Sequence, residues 1–219
     1  MAPAVHAQII WNFGTSSGNA ASSSDIPSNL IASAVTQNNN NGNTTMLSTS
    51  APSSGYIGAS GQYNAVASAV AGSLSLLSST FFEFTLTPST GYLVDLTEIS
   101  FGTRSTSTGA ANVEVYTSSD NFTTNILSKS VLTTGTWELA TSGTLSSISG
   151  TSISPLVVRI YGFGGTGSTS TGNWRIDDIS TSVFVTAVPE PSTYAAILGG
   201  VALVGVMVMR RRKSAAKAA

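Results

Sequence analysis

The stretch Asn173-Trp174-Arg175-Ile176-Asp177-Asp178-Ile179-Ser180-Thr181-Ser182-Val183-Phe184-Val185 decides the fold. Successive side chains of a β-strand point to opposite faces, so Trp174 and Ile176 share one face. Ile179, Val183 and Val185 also share a face, but with the opposite parity. One strand can deliver both sets to the same core only if an extra residue shifts the phase. Asp177-Asp178 lies where that bulge must occur. A bulge re-aims side chains, which leaves two fates for the acids. Either both are solvated on an edge strand, or one turns toward a loop or an ion.

The same alternation recurs upstream. Phe82, Phe84 and Leu86 share a face in FFEFTLTP, and so do Val113 and Val115 in ANVEVYTS. In SPLVVRIYGFG, Leu156, Val158 and Ile160 alternate with Val157, Arg159 and Tyr161. These short runs, separated by Ser/Thr/Gly loops, predict an all-β, antiparallel sandwich. AVASAVAGSLSLLS is the best helical stretch of the body, and its pattern leaves helix and strand undecided. Residues 36–55 hold almost no large apolar side chain and are expected to form a long loop.

The chain has 219 residues, enough for one medium domain and a terminal signal. It contains 0 Cys, which removes both a disulfide framework and a cysteine zinc site. Few charges and many small hydroxylated residues suit an exported β-rich protein. The net charge of −1 conceals an asymmetry: Arg210, Arg211, Arg212, Lys213 and Lys217 follow Met209 with no acid beside them. Everything before is acidic, with Arg104, Lys129, Arg159 and Arg175 facing all ten acids. An acidic body has no electrostatic footprint for nucleic acid.

No charge occurs from Tyr194 to Met209. As a helix this run would extend about 24 Å, close to the ~30 Å bilayer core once flanking cations snorkel. The expectation is therefore a transmembrane helix over 194–209, stopped by Arg210, Arg211, Arg212 and Lys213 on the cytoplasmic side, with a tail over 214–219. A buried core helix is the alternative, but four closing cations speak against it. At the other end, Val5 and Ala7 stand like the −3 and −1 residues of a secretory cleavage site. Residues 1–7 are thus expected to be a signal-peptide remnant, and 8–186 the exported domain. An N-terminus without signal meaning is the alternative.

Val188-Pro189-Glu190-Pro191-Ser192-Thr193, followed by an apolar run and a basic cluster, resembles the PEP-CTERM sorting signal of Gram-negative bacteria over about 187–213. The resemblance implies recognition of the Val188, Pro189, Glu190, Pro191 motif by an exosortase-type membrane protease, with cleavage near it. It also implies an envelope protein, anchored in the inner membrane before processing and then displayed at the cell surface or released. Two prolines keep the motif extended and out of helix or sheet, which suits a protease substrate.

The Trp174–Ile179 run also resembles the closing strand of bacterial extracellular jelly-roll domains of the galactose-binding or carbohydrate-binding type, with Ile9–Phe13 beside it. That resemblance implies a jelly-roll sandwich. It also implies, in some such domains, a structural Ca²⁺, for which Asp177 and Asp178 are the available ligands. No other cofactor is expected. His6 is the single histidine, so a mature chain beginning near Gln8 has no Ser-His-Asp or Cys-His catalysis and no histidine metal site. The protein is expected not to be an enzyme. Its function is read as a structural protein of the cell surface or extracellular matrix. The alternative is a carbohydrate-binding module that would stack an extracellular polysaccharide on Trp137 or Tyr161, with Tyr116 and Trp174 as further aromatics. Trp174 belongs in the core by parity.

Overall fold

The computed structural model describes residues 4–15, 18–22, 25–38, 45–69, 72–166, 173–189 and 198–208. In chain order the strands are β1 (Val5–Trp11), β2 (Leu30–Ala32), β3 (Thr36–Asn38), β4 (Leu47–Ser48), β5 (Asn64–Ala67), β6 (Thr80–Pro88) and β7 (Tyr92–Ser105). They continue with β8 (Asn112–Thr117), β9 (Asn125–Ser130), β10 (Trp137–Thr141), β11 (Ile148–Thr151), β12 (Leu156–Phe163) and β13 (Trp174–Ala187). Two antiparallel sheets result. The first runs β10-β7-β13-β5-β4, with β1 also on β13 and β11 also on β7. The second runs β2-β6-β12-β8-β9, with β3 also on β6.

The alternating positions meet in one core between the sheets. Phe82, Phe84 and Leu86 of β6, Val113 and Val115 of β8 and Leu156, Val158 and Ile160 of β12 are buried there. They face Ile9 and Trp11 of β1 and Trp174, Ile176, Ile179, Val183 and Val185 of β13. Trp174 is fully buried. Its indole N–H donates to Thr103 Oγ1 at 3.2 Å, and its ring centroid lies 5.1 Å from that of Phe82. Gly162 makes room for it: a Cβ on Gly162 would fall 2.5 Å from Trp174 Cε3.

The phase shift in β13 occurs at the two acids. Asp177 pairs with Gly102 and Ser180 with Ser100, so Asp178 and Ile179 together oppose Phe101 alone. Asp178 takes φ 47, the left-handed region that aspartate tolerates better than most residues. The amide it frees from the ladder donates to Asp177 Oδ1 at 2.9 Å. Beyond this bulge Ile179 returns to the core. A second shift, between Ser182 and Val183, absorbs Thr97 as an extra residue of β7 and keeps Ile99 and Leu96 both inward.

Several boundaries differ from the sequence reading. β1 starts at Val5, with Val5, His6 and Ala7 in register against Val185, Phe184 and Val183, upstream of the expected boundary at Gln8. The stretch 65–78 is not helical in its described part: it supplies most of β5 and a turn. The expected loop over 36–55 contains β3 and β4. The transmembrane helix is corrected. Among the described residues no helix is long and apolar enough to cross a membrane. The described part of the helix there, α1, covers 198–208, about 16 Å of rise against a ~30 Å core. Gly199, Gly200 and Gly205 are poor helix formers within this run.

Candidate functional sites: the C-terminal motif and the bulge cluster

The closing strand leads directly into the C-terminal motif. Thr186 and Ala187 are still in register with Leu93 and Tyr92 of β7, and the Val188 amide donates to Gly91 O at 2.8 Å. Val188 and Pro189 therefore leave the sandwich at the turn between β6 and β7. Glu190 and Pro191 lie outside the described residues, as do Arg210, Arg211, Arg212 and Lys213.

The bulge builds a second constellation, on the outer face of the first sheet. β13 is central, between β7 on one side and β1 and β5 on the other, so neither acid is on an edge strand. Asp177 is fully buried and Asp178 nearly so. A strap over residues 51–63 folds across this face and places its donors on Asp178. Tyr56 Oη donates to Asp178 Oδ2 at 2.6 Å and the Ser60 amide to the same oxygen at 3.1 Å. Ser60 Oγ donates to Oδ1 at 2.7 Å, and Ser53 Oγ lies 3.1 Å from Oδ2. The strap turns at Gly55, Gly58 and Gly61, all with positive φ. The Tyr56 phenol rests on Gly102, where a Cβ would come within 2.1 Å of its oxygen.

Charge is handled by burial. Burial, together with the hydrogen bond to Asp178, pushes the Tyr56 phenol well above its usual range. Burial, then the neighbouring Asp178 charge, pushes the Asp177 carboxyl up to about 8. Arg175, opposite Arg104 on β7, is shifted down by burial first and the Arg104 charge second. Its guanidinium donates to Asn64 Oδ1 at 2.7 Å, and Asn64 in turn donates to Ala51 O at 2.8 Å, tying down the start of the strap.

This donor set does not fit calcium. The ion needs about six to eight oxygen ligands. Asp178 instead receives hydroxyl and amide hydrogens from the strap, and Asp177 accepts from the Asp178 amide. Among the described residues no three His, Cys, Asp or Glu side chains gather into a metal-binding group.

The aromatics named for sugar stacking are not available for it. Trp137 is 7% exposed and Tyr161 0%. Trp137 lies under the strap, its ring centroid 6.1 Å from that of Tyr56. Tyr161 does face outward from β12, as its parity requires. It is covered, however, by a second apolar layer of Phe81, Tyr116, Leu74, Leu76 and Phe122, and its hydroxyl donates to Leu76 O at 3.2 Å. The strap residues Ser53, Tyr56 and Ser60 were missed by the sequence reading. Gly102 was their one signal, because a glycine inside a strand often marks close approach by another segment.

A family model described as the PEP-CTERM protein-sorting motif matches residues 187–213. The chain carries a PEP-CTERM motif. The match opens at Ala187, the last residue of β13, so the PEP-CTERM segment follows the sandwich without a linker. No curated protein shows significant sequence similarity to the chain. Among solved structures, the chain is similar to the K1 cleaved adhesin domain of Lys-gingipain from Porphyromonas gingivalis. The TM-score is 0.40 and the identity 13%, over 83% of this chain and 99% of that one. The K3 cleaved adhesin domain of the same protein gives a TM-score of 0.37 at 18% identity, over 74% and 94% respectively. The PEP-CTERM motif supports export to the cell surface and exosortase-mediated sorting.

Proposed function

We propose that the protein is a structural component of the cell surface or extracellular matrix, made available when an exosortase-type protease acts at Val188, Pro189, Glu190 and Pro191. The observation that carries this reading is the junction at Ala187, where the matched motif begins as the closing strand ends. A cut beyond Val188 would leave every described strand of the sandwich paired, which suits release of the body as a folded unit. Proline has no N–H to donate, so Pro189 cannot continue the pairing with β7, and a Pro-Glu-Pro sequence offers a protease a segment poor in ladder donors. A body rich in Ser and Thr suits an exposed, hydrated role.

The test is Glu190→Ala in the producing bacterium. Full-length protein is expected to accumulate in the envelope while the surface and medium fractions lose the mature form. Unchanged processing and distribution would exclude the motif as the signal. Sugar binding through Trp137 or Tyr161 is not part of this reading, since both rings are buried.

A further inference from the structure

The outer face of the first sheet has two halves. The half around Gly102 lies under the strap. In the other half, His6, Gln8, Thr141 and Ser149 are exposed, and Asp95, Glu98, Ser180 and Ser182 are half-buried. The ladders align these side chains into rows across the strands. One row runs Ser149 (β11), Asp95 (β7), Phe184 (β13), His6 (β1). The next places Ser182 between Glu98 on β7 and Gln8 on β1, with Thr141 of β10 donating to Glu98 Oε1 at 3.5 Å.

Phe184 is the anomaly. Its neighbours on the same face of β13 are Ser180, Ser182 and Thr186, yet Phe184 is aromatic and 39% exposed. Its parity points it away from the core, so packing does not require it. Its ring lies beside that of His6, with the centroids 4.9 Å apart. Asp95 accepts from Ser149 Oγ and Glu98 from Thr141 Oγ1, which leaves each side chain with further acceptor positions. Gln8 Nε2 donates to Ser180 Oγ at 2.8 Å, which holds the amide down against the sheet.

We infer that this face binds a neutral polysaccharide, with Phe184 as the stacking platform and Asp95, Glu98 and Gln8 as hydrogen-bond partners of its hydroxyls. The C–H face of a pyranose covers an aromatic ring, while its hydroxyls donate to carboxylates and exchange hydrogen bonds with an amide. Four strands at about 4.8 Å spacing give a flat row of about 14 Å, long enough for a short oligosaccharide segment. The two rows hold two carboxylates and neither lysine nor arginine, so an acidic glycan is repelled. This inference is independent of C-terminal processing, because its assay uses the isolated full chain.

The experiment is affinity electrophoresis of the full chain in gels containing dextran, soluble starch, galactomannan or hydroxyethylcellulose, with alginate as the acidic polymer. At least one neutral polymer is expected to retard the protein, and alginate is not. Phe184→Ala should weaken that retardation at least tenfold, and Glu98→Gln at least threefold, with melting temperatures close to wild type. Should Phe184→Ala fold poorly, Phe184→Leu keeps an apolar side chain without the ring and must still lose binding. Failure to bind all four neutral polymers would overturn the inference. So would preference for alginate, or retention of binding in the Phe184 variants. Size-exclusion chromatography of the same samples covers the remaining occupant: a dimer dissolved by Phe184→Ala would make this face a contact between copies and reject the sugar site.

Discussion

Trp174→Ala tests the placement of the closing strand. The indole is fully buried, stacked near Phe82 over the bare backbone of Gly162, with its N–H on Thr103 Oγ1. Truncating a buried tryptophan to alanine costs about 3–5 kcal/mol through lost transfer energy and the cavity left behind. Losing the partner of a buried hydroxyl adds about 1 kcal/mol. The sum, about 4–6 kcal/mol, is a large share of the ~5–15 kcal/mol that stabilises a domain. At 2–4 °C per kcal/mol for a chain of roughly this size, the melting temperature should fall by about 10–20 °C. Thermal unfolding followed by circular dichroism reads it directly. Gly162→Ala attacks the same contact from the other side and should also destabilise, because its Cβ would collide with the indole. A Trp174→Ala protein melting within about 3 °C of wild type would refute the strand assignment and the bulge that depends on it.

Three further outcomes follow from the bulge cluster. Gly102→Ala places a methyl against the Tyr56 phenol, so hydrogen exchange should accelerate over residues 51–63 while the amides of β6 and β12 stay protected; an unchanged strap would show that Tyr56 does not rest there. Asp177 carries a pKa raised to about 8, so between about pH 4 and 8 the folded state holds a proton that the unfolded chain releases. Stability should therefore fall as pH rises through that window, by up to about 1.4 kcal/mol per pH unit, and Asp177→Asn should flatten the slope and exceed wild type at pH 8. Parallel pH profiles for the two proteins would contradict this. A chelator should leave the melting temperature unchanged, because Asp178 is already filled by strap donors; a chelator-dependent drop would restore the calcium site.

Much of the body was legible in the residues because alternation is a local signal. The opposite parities of Trp174/Ile176 and Ile179/Val183/Val185 located the bulge. The pairing of β1 with β13 was not read from alternation; the jelly-roll resemblance implied it. The environment of Asp177 and Asp178 was not legible. It depends on β1 and β5 flanking β13, and on a strap more than a hundred residues away in sequence. Tyr161 shows the same limit: parity established that it faces outward, but the second apolar layer that buries it comes from other segments. Phe184 and His6 escaped notice for a related reason. Their juxtaposition needs the β1–β13 register, and His6 had been assigned to a signal remnant.

The most direct test of the sorting reading is the intact mass of the protein recovered from the cell surface and the culture medium. The expected species retains the whole of β13, through Ala187, and ends close to Val188–Pro191, with no peptide from Tyr194 onward. Surface protein that still carries the Arg210–Lys213 peptide would contradict processing at the motif.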